Sequence, residues 1–142
     1  EIGRAAGVPT DVIKGRIPAA TLEAKLRGHG VTHVALAGYL CLIDLPESYR
    51  GRMVNIHPAL LPRHGGKGMY GHHVHEAVIR AGDRESGCTV HLVDERYDEG
   101  KVLAQARCAV MPGDTADALA ARVFSLEKGL YPGAIAAWIR GG

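Results

Sequence analysis

The sequence predicts an α/β fold in which helices flank a mainly parallel sheet. Segment 31–38 is almost continuously apolar, as expected of a strand that is buried on both faces of a parallel sheet, and segment 52–58 is predicted to be a second buried strand. They alternate with segments of helical periodicity, such as 17–28 and 72–82. The chain has 142 residues, of which 46% are hydrophobic, so we expect a single core and a single domain over residues 1–142.

The first elements follow from the spacing of apolar residues and from the glycines and prolines. Residues 1–9 read like the last turns of a helix with a Gly-Val-Pro exit, so we expect further chain upstream. Leu22 and Leu26 repeat at helical spacing within 17–28, and a glycine ends that helix. Residues 45–51 indicate a short helix or turn between the two apolar strands.

The later elements follow a glycine-rich loop at 63–71, which we expect to flank a site. They are predicted in this order: helix 72–82, strand 88–95, a turn-like loop at 96–101, strand 102–110, and a helix over 114–141 that is capped by Asp114 or Thr115 and is either continuous or broken near Pro132.

The composition favours a small-molecule partner. The 17 basic and 15 acidic residues give a net charge of +2, which is too weak to indicate nucleic acid or an anionic membrane surface. Cys41, Cys88 and Cys108 form no close pair, so we expect buried, reduced thiols. No apolar segment approaches the roughly 18 residues needed to cross a bilayer. We therefore expect a soluble, cytoplasmic protein.

Asn55 and His57 are the first candidates for chemistry. They end the predicted strand 52–58, and residues at i and i+2 of a strand point to the same face. Ligands of α/β sheets bind at the carboxyl ends of the strands. An amide and an imidazole there could stabilise an oxyanion, and the imidazole could also exchange protons. The alternative is that both side chains only satisfy backbone groups at the strand end.

A carboxylate beside His57 would favour the imidazolium and fix its orientation. The loop between the last two strands offers Asp94, Glu95, Asp98 and Glu99. Their spacing alone does not choose among them, and acidic residues in a turn are most often solvated surface.

A cluster of histidines raises a metal hydrolase as an alternative. His72, His73 and His75 lie close to Glu76, with His64 upstream, and helical histidines can bind zinc. The segment lacks the H-E-x-x-H pattern and has no cysteine nearby, so we predict that the protein has no metal site.

Taken together, the motifs are similar to those of the folate-dependent formyltransferases. Within that family, the order and spacing of segments 36–43, 55–62, 75–106 and 112–132 resemble phosphoribosylglycinamide formyltransferase. The pattern N-x-H-P-x-L-L-P, followed about forty residues later by D-E-x-x-D-x-G, is specific for folate-dependent formyl transfer. The resemblance implies a Rossmann-like formyltransferase fold.

The resemblance also implies an activity and a catalytic trio. A formyl group would pass from 10-formyltetrahydrofolate to the amine of glycinamide ribonucleotide, in purine biosynthesis and without a metal. Asn55 and protonated His57 would stabilise the oxyanion. Asp98 would orient His57, keep it charged, and help to move a proton from the attacking amine to the departing folate nitrogen, through an ordered water.

Binding residues are implied by the same resemblance, and the loop 63–71 would lie beside the folate pocket. The implied folate contacts are Arg16, Leu40, Cys41, Leu42, Ile43, Asn55, Asp94, Glu95, Arg96, Tyr97 and Asp98. The implied contacts with glycinamide ribonucleotide are Phe124, Ser125, Leu126 and Glu127.

The sequence also departs from the family pattern. The opening strand and its phosphate-binding loop are absent, so we expect an N-terminally truncated domain that lacks the first two strands of the full fold. A sheet edge left open would favour a homodimer. Lys101, Lys128 and Cys41 also differ from residues that are common in the family.

Other functions remain open at this point. Formyltetrahydrofolate hydrolase and sugar N-formyltransferases use a similar trio, as does methionyl-tRNA formyltransferase, which usually carries a second, basic domain. An inactive folate-binding fragment is a further alternative.

Overall fold

The computed structural model describes residues 2–141 and forms a four-stranded sheet with helices packed against it. The elements are, in order, α1 (Ile2–Ala5), α2 (Ala19–Gly28), β1 (Val34–Leu36), a 3₁₀ turn (Glu47–Tyr49), β2 (Met53–His57), α3 (His72–Ala81), β3 (Glu85–Leu92), β4 (Val102–Ala109) and α4 (Ala116–Ile139).

The strands lie in the order β1-β2-β3-β4, and the predicted α/β class is confirmed. The strand directions differ from the mainly parallel sheet that we expected. Only β1 and β2 run parallel, whereas β2–β3 and β3–β4 are antiparallel. The loop 93–101 joins β3 to β4 directly, and a short connection of this kind gives an antiparallel hairpin because a parallel pair needs a crossover.

Two apolar clusters hold the sheet between its helices. Val78 of α3, Cys88 of β3 and Leu119 of α4 are buried together on one side of the sheet. Tyr49 and Met53 are buried in the second cluster, against which α2 packs. Each large apolar side chain buried in this way contributes about 1.5–3 kcal/mol. These contacts fix the positions of β2 and β3.

The cysteines are all free, as predicted, but not all of them are buried. Cys88 is fully buried, Cys108 is half-buried, and Cys41 is exposed. Cys41 lies after the end of β1, so the apolar residues around it belong to a loop and not to a buried strand.

Helix α4 is continuous through Pro132. Its N-cap is Thr115, whose hydroxyl accepts a hydrogen bond from the Ala118 N–H at 3.2 Å. In the second half of the helix, the Tyr131 hydroxyl donates to the Leu36 carbonyl of β1 at 2.8 Å and lies 3.3 Å from the Val54 carbonyl of β2. The helix is therefore joined to both parallel strands. Within residues 2–141, no helix has the length and apolarity needed to span a membrane.

Candidate active site

Polar side chains from three parts of the fold converge beside a cavity of about 880 Å³. Asn55 and His57 come from β2, and His91 comes from β3, directly opposite Asn55 in the antiparallel register. Asp98 comes from the loop between β3 and β4. All four residues line the cavity. The sheet register thus brings Asn55 beside a residue 36 positions later in the sequence, and the loop between β3 and β4 adds Asp98.

Both ring nitrogens of His57 face a partner. Its Nε2–H donates to the His64 carbonyl at 2.8 Å, and its Nδ1 lies 3.5 Å from Asp98 Oδ2. The side chain is almost fully buried. Burial lowers the pKa of His57 below its usual value, although the Asp98 carboxylate opposes part of that effect. This shift favours the neutral imidazole in the ligand-free protein, whereas we expected Asp98 to keep the ring charged.

Asp98 is ionised and held in place by three groups. The Gly66 N–H donates to Oδ2 at 3.0 Å, and the rings of His57 and His91 each lie 3.5 Å from one of its oxygens. Burial would raise the pKa of this carboxyl, but the hydrogen bond from His91 and the other two neighbours outweigh burial, and the pKa is lowered. A fixed negative charge therefore faces the imidazole.

The backbone around Asp98 explains the glycine of the D-E-x-x-D-x-G motif. Asp98 has φ of 57°, a left-handed conformation that costs a non-glycine residue about 1 kcal/mol or more. Two residues later, a Cβ on Gly100 would overlap the carbonyl oxygen of Leu92. Only glycine lets the loop pass so close to β3, and this close approach sets the position of Asp98.

The other acidic residues of the loop have partners away from His57. Asp94 accepts the N–H of Arg96 at 2.8 Å and thereby forms a local turn. Glu95 pairs with Arg50, and Glu99 pairs with Arg96 at 2.7 Å. The geometry therefore identifies Asp98 as the acidic residue of this loop that faces His57, which the spacing of the acidic residues in the sequence could not do.

His91 is a site residue that the sequence analysis missed. Its Nδ1–H donates to the Leu92 carbonyl at 2.9 Å, which leaves Nε2 free to face Asp98 Oδ1. The same Nε2 lies 3.4 Å from Asn55 Nδ2, so the Asn55 amide and the Asp98 carboxylate both approach this nitrogen. The sequence did contain an indication of His91, because Thr89 and His91 are polar residues at alternate positions of a buried strand and therefore point to the same face.

Thr89 fixes the chain as it leaves His57. It lies opposite His57 in the register, and its buried hydroxyl donates to the Ala59 carbonyl at 2.7 Å. The same oxygen accepts the N–H of Leu61 at 3.1 Å and the amide of Gln105 at 2.9 Å. The segment that follows the catalytic candidate is therefore bound to the central strands.

The segment implied to hold folate forms one wall of the cavity. Leu40, Cys41, Leu42 and Ile43 all line it, as do Asp94, Arg96 and Tyr97. The Leu42 N–H donates to the Tyr97 hydroxyl at 3.0 Å, which joins the two loops across the cavity. Within residues 2–141, Arg16 and Glu95 are not part of the cavity wall, and Arg16 lies 3.6 Å from Asp44 instead.

The residues implied to hold glycinamide ribonucleotide divide between two faces of α4. Phe124 and Glu127 line the cavity, three residues apart and hence on one helix face. Burial raises the pKa of Glu127 above its usual value. Leu126 packs against the core instead, and Ser125 is not on the cavity wall within the described chain.

The histidines of α3 are dispersed. His72 and His73 are exposed and lie within 3.6 Å of Glu76, whereas His75 is buried and its Nδ1 finds no hydrogen-bond partner in residues 2–141. Burial lowers the pKa of His75. Over the same residues, no three His, Cys, Asp or Glu side chains are grouped so that they could hold a metal ion.

Comparison with known proteins places this geometry in context. The formyl transferase family profile matches residues 15–135. Over 108 residues the chain is 52% identical to a protein named "Phosphoribosylglycinamide formyltransferase, chloroplastic" from Arabidopsis thaliana, which covers 75% of this chain and 37% of that protein. Over 101 residues it is 39% identical to phosphoribosylglycinamide formyltransferase of Escherichia coli (strain K12), covering 70% of this chain and 45% of the relative.

Solved structures agree with these relatives. The phosphoribosylglycinamide formyltransferase structure from Brucella melitensis superposes with a TM-score of 0.84 at 40% identity, covering 99% of this chain and 74% of that one. The structure from Streptococcus pneumoniae TIGR4 also gives 0.84, at 34% identity, with coverages of 96% and 78%. The chain spans less than half the length of the two curated relatives named above.

Proposed function

Because the chain belongs to the formyl transferase family, we propose that it carries the catalytic site of a phosphoribosylglycinamide formyltransferase. The enzyme would transfer the formyl group of 10-formyltetrahydrofolate to the amine of glycinamide ribonucleotide, a step of purine biosynthesis. One observation supports this proposal above the others. Asn55, His57 and Asp98 meet at the wall of a cavity large enough for small-molecule substrates, with His91 completing the cluster.

The proposed reaction requires no covalent intermediate with the protein. The substrate amine attacks the formyl carbon, a C–N bond forms, and negative charge develops on the formyl oxygen. One proton then passes from the attacking amine to N10 of the folate, and the bond between the formyl carbon and N10 breaks. The protein must therefore stabilise an oxyanion and assist one proton transfer.

The geometry assigns a role to each side chain. Nε2 of His57 is already bound to the His64 carbonyl, so Nδ1 is the nitrogen available to the formyl oxygen. Negative charge on that oxygen adds to the charge of Asp98, and both favour the imidazolium with its proton on Nδ1. Asn55 supplies a second donor, and its amide nitrogen lies 3.4 Å from His91 Nε2. Removing one such donor typically costs about 2.7–4 kcal/mol in the barrier.

The proposal also assigns the two substrates to opposite walls. The folate would bind against residues 40–43 and the loop at 94–98, where backbone groups can recognise the edge of the pterin. Glycinamide ribonucleotide would bind near Phe124 and Glu127 of α4. We further propose that residues 1–142 act as one cytoplasmic domain on small molecules, without a metal ion or nucleic acid.

A homodimer is the proposed assembly. β1 forms one edge of the sheet, and its outer side pairs with no other strand within residues 2–141. An open edge of this kind is a template for pairing with a second chain.

The decisive experiment follows the consumption of 10-formyltetrahydrofolate by absorbance, with and without glycinamide ribonucleotide. The assay uses both this chain and a version extended upstream. Consumption that depends on glycinamide ribonucleotide and yields the formylated amine is the expected result. Consumption without any amine would assign the protein to the formyltetrahydrofolate hydrolases, and formylation of an amino sugar would assign it to the sugar N-formyltransferases. Folate binding without turnover by either version would overturn the proposal.

A further inference from the structure

His64 lies next to the catalytic candidates but belongs to none of the motifs that identify them. Its backbone has φ of 54°, so it is one of two non-glycine residues with left-handed backbone in residues 2–141; the other is Asp98. This conformation is unfavourable for a residue with a side chain unless the surroundings impose it. The two left-handed residues contact the two nitrogens of the same ring, that of His57.

The surroundings that hold His64 can be identified. Its ring Nε2 lies 2.7 Å from Oδ2 of Asp83, whose side chain is 8% exposed and also pairs with Arg63. A short contact between an imidazole and a shielded carboxylate is a charge-assisted hydrogen bond, which is among the stronger polar contacts in proteins. The His64 side chain is therefore tied to a fixed acceptor and does not move freely with its loop.

Asp83 is itself anchored to the core. It follows the left-handed cap Gly82 at the end of α3, and its own N–H donates to the Val78 carbonyl at 3.3 Å. Val78 belongs to the buried cluster between α3, β3 and α4. A chain of contacts thus runs from the core through Asp83 and the ring of His64 to the His64 carbonyl, and from there to His57.

We propose that the pair formed by His64 and Asp83, which we term the latch, positions His57 by fixing the proton of its neutral ring on Nε2. A carbonyl oxygen can only accept a hydrogen bond, so the short 2.8 Å contact requires a proton on Nε2 of His57. In the neutral ring Nδ1 then carries no proton and faces Asp98. His64 is a positioning residue in this proposal, and its effect on catalysis rests on the proposed function.

The latch opposes the effect of Asp98. A carboxylate beside Nδ1 favours the tautomer that donates from Nδ1, as in triads where an aspartate selects the histidine tautomer. Here the carboxylate lies 3.5 Å away and the His64 carbonyl only 2.8 Å away, so the carbonyl determines the tautomer. Without the latch, the proton should move to Nδ1 and Nε2 should become the free acceptor. The imidazolium that the reaction requires would then lose the carbonyl that accepts its Nε2–H and holds Nδ1 toward the formyl oxygen.

Two substitutions break the latch from opposite sides. His64→Gly removes the ring, while glycine still adopts φ of 54° without strain. Asp83→Asn keeps the size of the side chain and removes its charge. The matched control is Glu85→Gln, which breaks an exposed ion pair with Arg107 at 3.3 Å on the strand that follows Asp83 and leaves the latch intact.

The test measures the tautomer directly, by long-range ¹H–¹⁵N correlation spectra of the whole chain with labelled histidine at about pH 8, where the ring is neutral. Wild type and Glu85→Gln should show His57 protonated on Nε2. Both latch variants should show a shift toward Nδ1, with circular dichroism reporting whether they remain folded. In the formyl-transfer assay kcat should fall by up to about 100-fold in His64→Gly, with KM little changed.

The outcomes separate this proposal from a structural role and from the proposed function. If His57 stays protonated on Nε2 in both folded latch variants, the proposal is overturned. If the tautomer shifts in only one of the two variants, the ion pair between His64 and Asp83 is not what fixes it, and the proposal is overturned as well. The tautomer is read without substrate. A shift in both variants, together with no formyl transfer by the wild-type chain or by its upstream-extended version, would therefore support the latch and refute the proposed function.

Discussion

Replacing Asp98 by asparagine tests the electrostatic part of the proposed mechanism. The substitution keeps the shape of the side chain and its acceptor for the Gly66 N–H, and it removes the charge that lies 3.5 Å from His57. Two unit charges at that distance interact by about 1.2 kcal/mol at the dielectric constant of water and by about 4.7 kcal/mol at an effective value of 20. If this stabilisation of the imidazolium is lost in the transition state, kcat should fall by about 8-fold to about 3,000-fold.

The assay is steady-state formyl transfer, accompanied by an NMR titration of His57. The Asp98 carboxylate raises the pKa of His57 against the effect of burial, so the pKa should fall further in Asp98→Asn. Glu99→Gln is the matched control, since Glu99 is the next residue in the loop and pairs with Arg96 at the surface. Turnover of Asp98→Asn within twofold of the control, or an unchanged pKa of His57, would show that the carboxylate does not act through its charge.

Three further predictions concern the loop, the pH dependence and the assembly. Gly100→Ala forces a Cβ into the Leu92 carbonyl, so it should destabilise the fold by about 1–3 kcal/mol in urea unfolding and lower kcat by displacing Asp98; unchanged values would contradict the role of that glycine. Burial lowers the pKa of His57 and His75 in the folded state, so the unfolded chain binds more protons than the folded chain below about pH 6.5. The free energy of unfolding should therefore fall below that pH, by at most about 1.4 kcal/mol per pH unit for each histidine. His75→Leu should reduce that slope in denaturation curves measured at several pH values, and an unchanged slope would exclude His75 as a source. Light scattering should give the mass of a dimer, and a mutation of Ala35 in β1 to proline should give a monomer; a monomeric wild type would refute pairing through that edge.

The sequence was sufficient for the type and order of the elements because their periodicity is local. The helix expected over 17–28 is observed over Ala19–Gly28, and the helix expected over 72–82 over His72–Ala81, capped by a left-handed Gly82. Strand lengths were less accurate, since pairing decides them. β1 has only three residues, whereas β3 begins at Glu85, before its apolar run, because Glu85 pairs with Ala109 of β4.

In the site, too, the features that depend on local spacing could be predicted, and those that depend on strand pairing or loop conformation could not. Asn55 and His57 could be predicted as a pair, because their spacing on one strand places both on one face. Asp98 could be distinguished from the other loop acids only through the resemblance, since its selection depends on the backbone of a loop. His91 was missed because its role depends on the register between two strands, which the periodicity of either strand does not determine.

The Tyr131 hydroxyl has a mechanical consequence for the site. It has a single proton to donate, and two carbonyl oxygens lie within reach of it, that of Leu36 in β1 and that of Val54 in the neighbouring β2. Glu127 stands four residues earlier on the same helix, about one turn away. Sliding of β1 against β2 would change which carbonyl receives the proton and would pull on the helix that carries Glu127. Pairing of a second chain with β1 would thus affect the cavity, because Leu36 of that strand and Glu127 of the helix both line it.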